Sequence, residues 1–178
     1  MFKQVFLLFC LLLCGCASNA MKPIPLVPNV DLAKFMGDWY VIAVIPTAIE
    51  KEVYNALENY QLNNDGTIAT TFTFNQGAFD GKLKKYQPKG FVRPETNNAL
   101  WGMQFIWPIK AEYRIAYLDD DYQTTIIARN ARDYVWLMAR TPQIADAQYA
   151  QLTSLIKKWG YDMTKLIKVP QQNLNDRK

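Results

Sequence analysis

The chain has 178 residues, of which 50% are apolar and 20% charged, with a formal net charge of +4; this predicts one packed domain and excludes a disordered chain. Histidine is absent, which removes His triads, His metal sites and His general bases together. Cys10, Cys14 and Cys16 are the only cysteines, so the chain beyond them has no disulfide or thiol nucleophile, and the mild positive balance falls short of a nucleic-acid binder.

Met1-Phe2-Lys3-Gln4 is a short positive start, followed by the apolar run Val5 to Leu13. A membrane-spanning helix needs about 20 apolar residues, so this run reads as the h-region of a secretory signal peptide. It ends in Leu13-Cys14-Gly15-Cys16, which resembles the bacterial lipobox, with Cys14 where a small residue is usual. The resemblance implies cleavage before Cys16 and acylation of its thiol. With Ala17 following, it implies a lipid-anchored protein of the outer membrane, facing the periplasm. The expected layout is a signal peptide over 1–15, acylated Cys16 and a Pro-containing tether over 16–30, a folded domain over 31–172, and a polar tail over 173–178.

Pro23, Pro25 and Pro28 make the tether extended. Asp31 to Met36 predicts one helical turn, capped by Asp31 and stopped by Gly37. Short apolar runs then predict strands over 39–45, 53–62 and 67–74, the last two joined by the Asn63-Asn64-Asp65-Gly66 turn. Further strands are expected over 82–92, 101–107, 112–118, 122–128 and 134–140. Eight strands at this spacing predict a sandwich or barrel. A late helix is expected to start with Thr141 as cap and Pro142 in its first turn, and to end at Gly160, with Ile144, Leu152, Leu155, Ile156 and Trp159 on one face. A short ninth strand is expected over 166–169.

Three separated pieces share one resemblance. Gly37-Asp38-Trp39-Tyr40 is similar to the Gly-x-Trp signature of the lipocalins. Asp119-Asp120-Asp121-Tyr122 resembles their Asp-Thr-Asp-Tyr turn, with Asp120 replacing Thr, and Arg140 matches their third element. The pattern looks most like the bacterial outer-membrane lipoprotein lipocalins, relatives of apolipoprotein D. This implies an all-β fold: an eight-stranded antiparallel up-and-down barrel with a C-terminal flanking helix. It also implies a carrier of fatty acids or lysophospholipids that needs no metal or cofactor, and it leaves a homodimer open. Gly37, Trp39, Asp121, Tyr122 and Arg140 are then structural, with Trp39 plugging the closed end under the Arg140 guanidinium. The Asp119–Asp121 triplet on its own reads as a turn whose carboxylates accept backbone N–H groups.

Strand alternation selects the inward side chains. If Trp39 points in, so do Val41, Ala43 and Ile45; if Arg140 shares that face, so do Met138, Trp136 and Tyr134. Family register adds Met103 and Phe105, then Tyr113, Ile115 and Tyr117. The expected cavity lining is therefore Val41, Ala43, Met103, Phe105, Tyr113, Ile115, Tyr134, Trp136 and Met138. The same residues could fill a dry core, since an eight-stranded barrel admits either outcome. The basic run Lys82, Lys84, Lys85, Lys89 and Arg93 reads as a solvated face, or as one that meets anionic head groups. No nucleophile or acid–base motif is assembled, which argues against a lipid-modifying enzyme. A ligand-free structural lipoprotein stays open on the residues, and only the resemblance favours a carrier over it.

Overall fold

A computed structural model describes residues 21–48, 50 and 52–173. The signal peptide, Cys16 and the last five residues of the tail lie outside the described residues. Asp31 caps a single turn, α1 (Leu32–Phe35), by accepting the backbone N–H groups of Ala33 and Lys34. Gly37, at φ +91°, then opens β1 (Gly37–Ile45). β2 (Val53–Leu62) and β3 (Thr67–Gln76) form the hairpin whose turn the Asp-Gly pair predicts, with Gly66 at φ +76°.

The strand expected over 82–92 is two strands, β4 (Leu83–Tyr86) and β5 (Lys89–Val92), both paired to β3. Pro88 lies at the break because it has no N–H to give to a ladder. β6 (Leu100–Ile106), β7 (Ile109–Leu118), β8 (Thr124–Ala128) and β9 (Val135–Ala139) continue the meander. All neighbouring pairs are antiparallel, and β9 pairs back onto β1. With β4 and β5 counted as one broken stave, this is a closed eight-stranded barrel, as the resemblance implies.

The late helix, α2 (Asp146–Lys158), begins beyond its expected cap. Thr141 donates its hydroxyl to the Gln143 carbonyl instead, and Asp146 supplies the negative charge of the first turn. The end is as expected. Gly160 at φ +88° and Tyr161 send their N–H groups to Lys157 and Ile156, closing a Schellman motif. A last strand, β10 (Ile167–Lys168), pairs with β1.

Residues 21–30 are extended, but they are not a free tether. Ile24 and Val30 are buried, Val27 N–H bonds the Ile115 carbonyl, and Arg114 Nη1 bonds the Ile24 carbonyl. This stretch is strapped to the barrel wall by burial of its two branched side chains.

The apolar residues divide into two clusters. One fills the barrel around Trp39, Tyr60, Trp101 and Ile115; the other seats α2 against the wall through Ile42, Ala43, Leu137, Leu152 and Ile156. β1 serves both because it carries a bulge between Val41 and Ala43. Ile42 and Ala43 consequently face the helix together, Val44 turns inward, and Ile45 turns out. The expected inward positions of Ala43 and Ile45 are thus corrected. A second bulge, between Ile115 and Tyr117, likewise sends Tyr117 to the helix cluster.

Candidate functional site

The barrel is sealed at one end and hollow at the other. At the sealed end Trp39 is fully buried, donates its indole N–H to the Phe35 carbonyl at 2.8 Å, and packs its ring 5.0 Å from that of Phe35. The Arg140 guanidinium lies 3.8 Å from the indole centroid. Its N–H groups reach the carbonyls of Lys34, Phe35, Asp38 and Tyr122, tying α1, β1 and the β7–β8 turn together. In that turn Asp119 accepts the N–H groups of Gln123 and Thr124, and the Tyr122 hydroxyl accepts the N–H of Asp31. Among the described residues Asp121 is engaged only through its carbonyl, which accepts from Gln123 Nε2.

Above this plug the Tyr60 and Tyr113 hydroxyls meet at 2.6 Å, and a cavity of about 370 Å3 opens over Tyr113. Its walls include Thr70 from β3, Tyr86 from β4, Met103, Phe105 and Ile106 from β6, and Tyr134 and Trp136 at β9. The mouth is framed by Thr47 and Ala48 of the β1–β2 loop and Arg129 of the β8–β9 loop. Phe105 is half exposed there, and Trp107 and Ile109 stand in solvent at the β6–β7 tip.

Met103, Phe105, Tyr113, Tyr134 and Trp136 thus border one cavity. Val41, Ile115 and Met138 are buried in the inner cluster without bordering it, and Ala43 lies behind the wall. Lys82, Lys85 and Arg93 of the basic run are exposed on the outside, and Lys89 pairs with Asp65 at 3.4 Å.

Two carboxyl groups were not among the expected site residues. Glu58 on β2 pairs in register with Trp39 and with Phe72, so it points inward and borders the cavity. Burial, with the neighbouring Glu50 adding to it, pushes its carboxyl up to about 8. Glu50 is equally hidden: Trp136 Nε1 donates to one oxygen at 2.7 Å and Thr47 N–H to the other at 2.9 Å. Burial raises Glu50 too, opposed by these hydrogen bonds. Burial, then the Glu58 charge, holds the Tyr113 phenol well above its ordinary range. Counting every second residue back from Tyr60 would have marked Glu58 as inward; nothing local marks Glu50.

Residues 30–171 match the Lipocalin-like domain family model. Temperature-induced lipocalin-1 of Arabidopsis thaliana is 31% identical over 164 residues, covering 85% of each chain. Outer membrane lipoprotein Blc of Citrobacter freundii is 28% identical, covering 90% of each. Among solved structures, insecticyanin from the tobacco hornworm Manduca sexta superposes with a TM-score of 0.64 over 88% of this chain and 95% of its own, at 14% identity, which speaks for the fold. Taken with the closed barrel, the Trp39–Arg140 plug and the flanking helix, these matches show that the chain belongs to the lipocalin family.

Proposed function

We propose that this lipocalin binds hydrophobic lipids, fatty acids or lysophospholipids, and carries or scavenges them at the bacterial outer membrane, held there by acylated Cys16 and without catalysing a reaction. The observation that carries the reading is the blind cavity. It is walled by aromatic and apolar side chains, closed by Trp39 and Arg140, and open through the β1–β2 and β8–β9 loops. Its volume of about 370 Å3 falls within the range of about 300–1,000 Å3 for small-molecule sites. Each buried CH2 contributes about 0.8 kcal/mol, so a long alkyl chain gains enough to outweigh several kcal/mol of ordering cost. The names of the Blc relatives support the outer-membrane placement.

Phe105 is the cleanest wall residue to remove, because it makes no hydrogen bond and is half exposed. Phe105→Ala is expected to weaken a C16 fatty acid by about 1 kcal/mol, roughly fivefold, with the fold retained. Gln104→Ala, on the opposite side of the strand, should leave affinity unchanged. Titration with a fluorescent fatty acid, with circular dichroism as control, decides it. Equal losses in both variants would contradict the pocket, and binding by the wild type of neither a fatty acid nor a lysophospholipid would remove the carrier reading. Cys16→Ser is expected to release the protein from outer-membrane fractions while the barrel still folds. Retention after a salt wash would contradict anchoring through Cys16.

A further inference from the structure

Glu58 and Glu50 put two carboxyl groups into one apolar interior, and among the described residues neither forms an ion pair. No described residue gives the Glu58 carboxyl a hydrogen bond, although it borders the cavity. An unpaired buried carboxyl is costly, and in a cavity its natural partner is whatever fills the space. We propose that Glu58 determines the head-group charge that the cavity accepts, favouring an amphiphile that carries an ammonium group over a carboxylate of equal chain length. This rests on the carrier reading above and narrows its ligand class.

The titratable and charged groups around Glu58 come from every neighbouring element: Glu50, Tyr86, Glu112, Tyr113, Arg129 and Tyr134. Glu112 is already paired with Arg114 at 3.0 Å, and Arg129 with Asp133 at 2.9 Å. Glu50 receives two N–H donors, which suit its anion, so of the pair it is Glu58 that keeps a proton. A carboxylate head beside them adds like charge in a water-poor space, where only one of such neighbours can stay ionised. An ammonium head does the reverse. Glu58 releases its proton to solvent, its carboxylate faces the cation, and Trp136 and Phe105 on the cavity wall add cation–π attraction, the Tyr134 ring being already covered by the Arg129 guanidinium at 5.2 Å. The balance is simple: one cation enters, one proton leaves, and no covalent bond to the ligand is made.

The test compares dodecyltrimethylammonium, dodecanol and dodecanoate, all below their micellar concentrations, on the purified intact chain and its Glu58→Gln variant. At pH 7.5 the wild type is expected to bind the cation about tenfold or more tighter than dodecanoate. Calorimetry in two buffers of different ionisation heat should show a proton released with the cation and none with dodecanol. Glu58→Gln should cut the cation-to-anion ratio about tenfold and leave dodecanol within about twofold. An unchanged ratio in a folded Glu58→Gln protein overturns the proposal. So does a wild-type preference for dodecanoate, which would place the selection at Arg129, whose buried Nε has no hydrogen-bond partner among the described residues. If Glu58→Gln fails to fold, the proton count on the wild type still decides, and no release overturns the proposal. Dodecanol binding without the charge preference leaves the carrier reading standing; no binding of any of the three removes both.

Discussion

Replacing Trp39 with alanine is expected to lower the unfolding free energy by about 3–5 kcal/mol. Three losses coincide at this position. The fully buried indole leaves a hole among Phe35, Tyr60 and Trp101, the Phe35 carbonyl loses its 2.8 Å donor, and Arg140 loses the ring beneath its guanidinium. The four carbonyls that Arg140 caps remain, so α1 should stay docked and the barrel should still close. For a domain of this size the midpoint of thermal unfolding should fall by roughly 10–20 °C. Urea and thermal melts followed by circular dichroism measure it. A loss below about 1 kcal/mol would mean that the plug is not part of the cooperative core.

Glu58→Gln is expected to stabilise the protein above neutral pH and to change little near pH 4. The folded chain holds the Glu58 proton up to about pH 8, whereas an ordinary glutamate releases it near 4.5. Between those values unfolding releases a proton, so the folded state loses stability as pH rises from about 4.5 to about 8. Each tenfold in proton affinity is worth about 1.4 kcal/mol, which makes the whole effect roughly 5 kcal/mol at most. Glutamine carries no ionisation and escapes it. Denaturation curves at pH 4.5, 6.5 and 8.5 should therefore diverge, with the variant ahead at the alkaline end. Parallel curves would show that water or a local rearrangement already relieves the carboxyl.

What the sequence discloses about this molecule follows the range over which each signal acts. The C-terminal limit of β2 is legible because the Asp-Gly turn that ends it is a local signal, even though the strand itself carries an irregularity between Tyr54 and Leu57. The sealed end is legible because its aromatic and its arginine are marked by local motifs. Ala43, Ile45 and Tyr117 are misassigned by alternation because a bulge adds one residue, and a period of two then inverts every side chain after it. Pro88 was in view, and its missing N–H is reason enough to divide the strand it sits in. Glu50 was beyond reach: Thr47 is a neighbour in its own loop, but the donor on Trp136 lies 86 positions away and is brought to it only by barrel closure.

The bulge in β1 also sets which changes of chain length the protein can absorb. Deleting Ile42, the extra residue of the bulge, would restore strict alternation and leave Ala43, Val44 and Ile45 on their present faces, at the cost of the isoleucine that helps to seat the helix. The Ile42 carbonyl, which now accepts the N–H of Val169, would go with it and loosen the C-terminal segment. The exposed turn at Asn63 to Gly66 carries no such double duty. Residues can be gained there with the loop-closure cost alone, growing by about 0.6 kcal/mol for each doubling of the loop. In a library of single-residue changes, insertions should therefore survive at that turn and be lost beside Ile42, where one more residue inverts every side chain after it. Deletion of Ile42 itself should be tolerated better than those insertions.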